Sequence, residues 1–97
     1  MRIVSAAQLI EPIRRLCLRA CCNLPQDAVS ALSLAREQEE SGSAAKSVLN
    51  QLLENQALAR EKFRPICQDT GMAVVFADIG QDVFIEGDLS AAVNEGV

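Results

Sequence analysis

The hydrophobic pattern changes its period around Pro65, and this change restricts the possible folds more than any other feature of the sequence. Before Pro65, apolar residues recur at intervals of three or four positions, which is typical of amphipathic helices. Met72–Ile79 is instead a nearly continuous apolar run, which is typical of a strand buried on both faces. The sequence therefore predicts an α+β fold that is mainly helical in its first part.

Three amphipathic helices joined by short turns are predicted for this first part. Ser5 and Gln8 have the spacing of a capping box, so a helix can begin there, although Pro12 fits only in a first turn. Pro25 then breaks the helix and starts the next one, and Ser41 or Ser43 caps the third. The firm parts are Pro12–Asn23, Gln26–Glu40 and about Ala44–Lys62. Together they predict a helical layer over residues 5–62.

Each predicted helix has an apolar face. On the first helix this face comprises Ile13, Leu16, Cys17, Ala20, Cys21 and Leu24. On the second it is formed by small side chains that allow a close approach, at Ala28, Ala31, Leu32 and Ala35. The third continues the period at Ala45, Val48, Leu49, Leu52, Leu53 and Ala57. We expect all three faces to pack against neighbouring elements.

Strands and a further helix are predicted after the helical layer. Gly80–Asp82 reads as a turn between Met72–Ile79 and a second strand at Val83–Ile85, so the two strands would form a β-hairpin. Asp88 can cap a helix that starts at Leu89. That helix is still in progress at the last residue, so we expect the chain to be the truncated first part of one larger domain. The site loop and hairpin would span residues 63–88.

Composition excludes several classes of function. The chain has 97 residues, a net charge of −4, three Phe and neither Tyr nor Trp, which argues against nucleic-acid binding. It has no apolar run long enough to span a membrane and no secretory signal, so we expect a cytoplasmic protein. It also lacks His, which removes the commonest base of nucleophilic hydrolases.

Three of the four cysteines are predicted to be structural. Cys17, Cys21 and Cys22 lie close together in the first helix, and the first two belong to its apolar face. There is neither a His nor a second pair of ligands to complete a metal site with them. We therefore interpret them as buried, reduced thiols rather than as metal ligands or halves of disulfides.

The loop Pro65–Gly71 is the candidate site. Pro65 disfavours helix at the residue before it, and Gly71 allows the backbone to turn. Between them, a thiol, an amide, a carboxylate and a hydroxyl follow one another at Cys67, Gln68, Asp69 and Thr70. This set combines a soft metal ligand with acid/base and hydrogen-bonding groups. The alternatives are an ordinary loop thiol and a turn in which the Asp and Thr side chains bond their own backbone.

The segment Pro65–Val97 resembles a known family. Its strings ICQDTG, VVFADIG, FIEGDLS and AVNEGV are similar to the N-terminal catalytic region of class I, iron–sulfur-dependent fumarases and of L(+)-tartrate dehydratase α subunits. Ile13–Lys62 resembles the same family more weakly. The resemblance implies that Cys67 is one of three cysteines that hold a 4Fe-4S cluster. It also implies that Gln68, Asp69 and Thr70 bind the substrate, with Asp69 as the catalytic residue.

The resemblance further implies a hydro-lyase of the tricarboxylic acid cycle that interconverts fumarate and malate. The substrate would be a small dicarboxylate, but the sequence has no Lys or Arg after Arg64. The missing cations and the other two cluster cysteines would thus come from the remainder of the α chain, or from a β subunit or fused β domain. We expect a homo-oligomer, and we expect the fragment alone to be inactive.

Three alternatives stay open. The first is an L(+)-tartrate dehydratase α subunit, which differs only in substrate. The second is a non-catalytic helical interaction module, in which Cys67 and Asp69 would tolerate substitution whereas Leu16, Leu49 or Leu52 would not. The third is a redox-sensing thiol at Cys67, which the neighbouring carboxylate disfavours.

Overall fold

The computed structural model describes the whole chain, Met1–Val97, and confirms the α+β class. Its helices are α1 (Ile10–Cys22), α2 (Gln26–Gln38), α3 (Ala44–Lys62) and α4 (Leu89–Gly96), and its strands are β1 (Arg2–Ser5) and β2 (Val83–Glu86). The residues form two compact units. We call Arg19–Asp69 the helical unit, and Met1–Leu18 together with Thr70–Val97 the terminal unit.

The helical unit is built on the packing of α2 against α3. Only five residues, Glu39–Ser43, connect the two helices, which is typical of a helical hairpin. Ser43 caps α3, because its Oγ accepts a hydrogen bond of 3.1 Å from the amide of Lys46. The predicted bounds of α3 are confirmed, and α2 starts at the predicted residue.

The apolar faces of the helices are covered only in part. Leu53 and Ala59 of α3 are buried. On α2, Ala28, Leu32 and Ala35 are half-buried, whereas Ala31 is exposed. Val48 and Leu52, however, are about half exposed, as is Leu16 on α1. Periodicity does not reveal whether a face has a partner, and Cys22 of α1 and Ala59 of α3, both buried, lie outside the faces predicted from it.

In the terminal unit, the chain enters α1 through a short 3₁₀ turn, Ala6–Leu9. The amide of Ser5 donates to Oε1 of Gln8 at 2.9 Å, so the predicted bond at this helix start is present. Pro12 lies in the first turn of α1, where its missing N–H costs no helical hydrogen bond. A hydrogen bond from the Arg14 guanidinium lowers the pKa of the Glu11 carboxyl below its ordinary value.

The predicted β-hairpin is wrong. Met72–Ile79 forms no strand, and all of its residues are exposed. The turn before β2 does form, with the amide of Val83 donating to the carbonyl of Gly80 at 3.0 Å. β2 then pairs in parallel with β1, in a register that sets Arg2 opposite Val83.

The reason for this error is that sequence order favoured the wrong partner. Strands that follow one another in the sequence usually pair, and this tendency favours the apolar run as the partner of β2. Here β1, from the other end of the chain, occupies an edge of β2, and Met72–Ile79 has no strand beside it. A segment buried on both faces needs layers above and below it, and these 97 residues do not supply them.

Helix α4 completes the terminal unit. As predicted, Asp88 caps it, since its Oδ1 accepts a hydrogen bond of 3.0 Å from the amide of Ala91. Ala92 and Gly96 are buried, and α4 packs against the 3₁₀ turn that precedes α1. None of the four helices has the combination of length and apolarity that a membrane span requires.

Candidate functional site

The candidate loop begins where α3 stops. Phe63 adopts the left-handed conformation with φ of 52°, and the amide of Arg64 donates back to the carbonyl of Ala59 at 3.0 Å. This 6→1 hydrogen bond is the one that ends many helices, although glycine usually takes the left-handed position. Pro65 follows and cannot continue a helix. The hydrogen bond from Arg64 and the ring of Pro65 together end α3 at this point, and they set the direction in which the loop leaves the helix.

Two long-range hydrogen bonds hold the next two residues. The amide of Ile66 donates to the carbonyl of Cys21 at 2.8 Å, and the amide of Cys67 donates to Oδ1 of Asn55 at 2.9 Å. With the bond from Arg64, each N–H from Arg64 to Cys67 has a partner. Pro65 needs none, since it has no N–H. The backbone of this segment is thereby tied to both α1 and α3.

The side chains of the site project from this fixed backbone. Ile66 is half-buried, whereas Cys67, Gln68 and Asp69 are exposed. The division between the two units falls after Asp69, so Thr70 belongs to the terminal unit; it is also exposed. Cys67, Gln68 and Asp69 thus lie next to one another as exposed residues, at the end of a segment whose amides are held as far as Cys67.

A depression of about 350 Å³ lies beside the loop in the helical unit. It is lined by Asn55, Leu58, Ala59, Lys62, Arg64 and Pro65. Lys62 and Arg64 put two cations at its border, at the end of α3 where positive charge also complements the helix dipole. They are the last cations of the sequence.

The cysteines of α1 differ from the prediction. Cys22 is buried, Cys17 is half-buried and Cys21 is exposed. The interpretation of all three as buried thiols is therefore wrong for Cys21. The face that carries Cys21 is only partly covered, whereas Cys22 lies on the side of the helix that faces the interior. All four cysteines are free.

Cys67 suits a metal centre as a single ligand. Its thiol is exposed and unpaired, and its backbone is held, which are the properties of a sulfur donor presented to a cluster. No group of three Cys, His, Asp or Glu side chains comes together in the chain. These residues therefore fit one corner of an iron–sulfur cluster and do not by themselves enclose one.

Asn55 is the residue of the site that the sequence did not reveal. It lies within α3, twelve positions before Cys67, and its neighbours follow a helical apolar period. An Asn inside a helix is a weak signal, because its side chain often competes for nearby backbone groups. That signal could have suggested a tertiary hydrogen bond, but it could not have identified the amide of Cys67 as the partner.

Comparison with known proteins places the whole loop within a recognised sequence pattern. The sequence profile of the family "Fumarate hydratase (Fumerase)" matches residues 10–97. The "Putative L(+)-tartrate dehydratase subunit alpha" of Methanocaldococcus jannaschii is 39% identical over 64 residues, which cover 66% of this chain and 22% of that protein. The "Putative fumarate hydratase class I" of Geobacillus stearothermophilus is 35% identical over 65 residues, which cover 67% of this chain and 13% of that protein. No solved structure matches the chain.

The chain spans less than a quarter of the length of either of these relatives. Both relatives carry the names of hydro-lyases, enzymes that add water to a double bond or remove it. The matched residues include α1, α2, α3, the candidate loop, β2 and α4. The loop and the elements that hold it therefore lie together inside the family pattern.

Proposed function

The chain belongs to the fumarate hydratase (Fumerase) family, and we propose that it forms the N-terminal part of an iron–sulfur hydro-lyase that interconverts fumarate and malate. The observation that carries this proposal is the family match over residues 10–97, which contains the one loop where a thiol, an amide and a carboxylate are presented together. The exposure of Cys67, Gln68 and Asp69, beside a backbone that is held as far as Cys67, supports it, because a site loop needs both access and a fixed position.

Cys67 would be one ligand of a 4Fe-4S cluster. When bound, such a cluster offers an open iron as a Lewis acid toward the hydroxyl of the substrate. The main-chain amide of Cys67 donates a hydrogen bond to Asn55 Oδ1, which ties this part of the loop to α3. The remaining ligands would come from residues beyond these 97.

Gln68, Asp69 and Thr70 would contact the dicarboxylate. The amide of Gln68 can donate to a carboxylate oxygen, and the hydroxyl of Thr70 can do the same. In hydration, the carboxylate of Asp69 would accept a proton from the water whose oxygen adds to the double bond, and in dehydration the resulting acid would return that proton to the departing hydroxyl, which leaves as water. The proton that the neighbouring carbon gains or loses would be carried by a group outside this loop. Gly71, which follows, would serve the backbone turn rather than the chemistry.

Partners would complete this enzyme. Two carboxylates require Arg or Lys partners, and the chain has none after Arg64, so further cations would come from the rest of the α chain or from a β subunit or fused β domain. We expect the assembled enzyme to be a homo-oligomer in the cytoplasm, where four unpaired cysteines stay reduced. The 97 residues alone would be inactive.

Tartrate is the second candidate substrate, because the relative from Methanocaldococcus jannaschii bears the name of a tartrate dehydratase α subunit. Tartrate differs from malate by one additional hydroxyl. The residues that would contact this additional hydroxyl would belong to walls of the pocket outside the loop Pro65–Gly71. The two substrates are therefore distinguished by assay, with fumarate, malate and L(+)-tartrate offered separately to the same preparation.

The test uses the intact α chain assembled with its partner half under anaerobic conditions. Asp69→Asn should lower kcat by about 100-fold or more with at least one of the three substrates, because it removes the proton acceptor while keeping the shape of the side chain. Asp82→Asn is the matched control, since Asp82 is an exposed Asp in the turn before β2. Equal activity of both variants and the wild type would refute the assignment of Asp69. Absence of hydro-lyase activity in a cluster-loaded wild type would instead favour the helical interaction module.

A further inference from the structure

A side chain from α3, outside the proposed ligands, holds the backbone of Cys67. Asn55 Oδ1 accepts a hydrogen bond of 2.9 Å from the amide of Cys67, twelve residues further along the chain. Asn55 also lines the depression beside the loop, together with Lys62 and Arg64. Asn55 is partly buried, whereas Cys67 is exposed.

Helix α3 is a suitable support for such a bond. It is the longest element of the chain, with 19 residues, and it is fixed at its start by the Ser43 cap and at its end by the bond between Arg64 and Ala59. Asn55 lies between these two fixed ends. Its side chain needs few rotatable bonds to reach the loop, so little conformational freedom is lost when it does so.

The hydrogen bonds from Arg64 and Ile66 do not act on the amide of Cys67, whereas the bond to Asn55 does. Those from Arg64 and Ile66 hold the residues before Cys67, and both use main-chain carbonyls as acceptors. The bond to Asn55 acts on the amide of the cysteine itself. Fixing this amide restricts φ of Cys67, and therefore the direction in which its Cα–Cβ bond and sulfur point.

We propose that Asn55 is a positioning residue that sets the direction of the Cys67 thiol. The expected effect on cluster binding rests on the proposed function. The hydrogen bond and its effect on the loop stand independently of any ligand. Loss of the bond would let the backbone of Cys67 rotate, and a cluster that requires its three sulfurs at fixed places would bind less well.

The test compares three variants of the intact protein. Asn55→Leu keeps the size of the side chain and removes the acceptor oxygen. Asn55→Asp keeps an oxygen in the same place. Asn50→Leu is the matched control, because Asn50 is an exposed Asn on the same helix. Thermal unfolding of all three reports whether the fold is kept.

Amide hydrogen exchange at Cys67 is the first measurement. In the wild type we expect the amide of Cys67 to exchange about tenfold more slowly than that of Gln68, after correction for intrinsic rates. Asn55→Leu should remove this difference, whereas Asn55→Asp and Asn50→Leu should keep it. Equal exchange of the two amides in the wild type would overturn the proposal without any variant. An Asn55→Leu variant that unfolds leaves this wild-type comparison as the deciding result.

Anaerobic loading with iron and sulfide is the second measurement, read by iron content and visible absorbance. Asn55→Leu should retain less than half of the wild-type iron, and Asn55→Asp should recover most of it. If Asn55→Leu loads as the wild type does, the positioning role is wrong while the proposed function stands. If no form of the protein binds a cluster but exchange at Cys67 still depends on Asn55, the proposed function fails and the positioning of the thiol stands.

Discussion

Phe63 connects α3 to the site through an uncommon backbone conformation. Its φ of 52° lies in the left-handed region, where Cβ crowds the following carbonyl, and its side chain is 64% exposed. The residue is followed directly by the segment whose amides are all held. Such strain persists only where the surroundings determine it, and here the helix end and Pro65 do so.

Replacing this residue tests whether the conformation is strained. Phe63→Gly should raise the free energy of unfolding by about 1 kcal/mol, since glycine adopts positive φ without the steric cost and little packing is lost. Gly42→Ala should have the opposite effect, because Gly42 has φ of 80° and nothing lies within 4 Å of the added Cβ. Urea denaturation measures both. A loss of stability in Phe63→Gly would show that the exposed ring contributes packing that outweighs the strain.

At the scale of secondary structure, local signals determined the elements that were predicted correctly. Pro25, Ser43 and Asp88 each act on residues within one turn of themselves, so the starts of α2, α3 and α4 could be predicted from sequence alone. The pairing of β2 with β1 joins opposite ends of the chain, and no local signal carries that information. The same holds for the site. Cys67, Gln68 and Asp69 are adjacent and could be identified as a group, whereas Asn55 reaches them only through the fold.

The packing of α4 depends on a glycine. A Cβ on Gly96 would lie 2.7 Å from Cγ2 of Ile13 and 2.9 Å from the carbonyl oxygen of Ile10, both in the first turn of α1. Gly96→Ala should therefore lower the free energy of unfolding by about 1–3 kcal/mol through overpacking. Gly80→Ala is the control, because its Cβ would meet Val83 at the ordinary distance of 3.4 Å.

A double-mutant cycle tests whether the loss of stability in Gly96→Ala comes from contact with Ile13. Combining Gly96→Ala with Ile13→Ala should cost less than the sum of the two single changes, since the shortened side chain makes room for the new methyl group. The overpacking should be relieved only in part, because the carbonyl oxygen of Ile10 stays in place. Strict additivity would contradict the close approach of α4 to α1.

At the scale of the whole molecule, much apolar surface is uncovered. Phe76 and Met72, in the run Met72–Ile79, are 93% and 86% exposed. Ile3 and Phe84, which lie opposite each other on one face of the two-stranded sheet, are also exposed. Parallel sheets normally have both faces covered. The uncovered surface agrees with the proposal that the chain works as one part of a larger assembly.

This surface should make the 97 residues associate when they are studied alone. Large exposed apolar patches are favourable to bury, so we expect oligomers in sedimentation velocity at micromolar concentration. The double change Met72→Ser with Phe76→Ser should shift the distribution toward monomer. Leu34→Ser, at an exposed apolar residue of α2 outside the run, should change it less. A compact wild-type monomer would contradict this prediction.

We propose above that Cys67 holds a cluster in a hydro-lyase. The most direct test is anaerobic iron–sulfur reconstitution of the intact α chain with its partner half, comparing the wild type with Cys67→Ser and with Cys17→Ser as the control thiol. We predict that Cys67→Ser loses most of the bound iron, the visible absorbance and the hydration of fumarate, whereas Cys17→Ser keeps all three. Retention of cluster and activity by Cys67→Ser would show that Cys67 is not a cluster ligand.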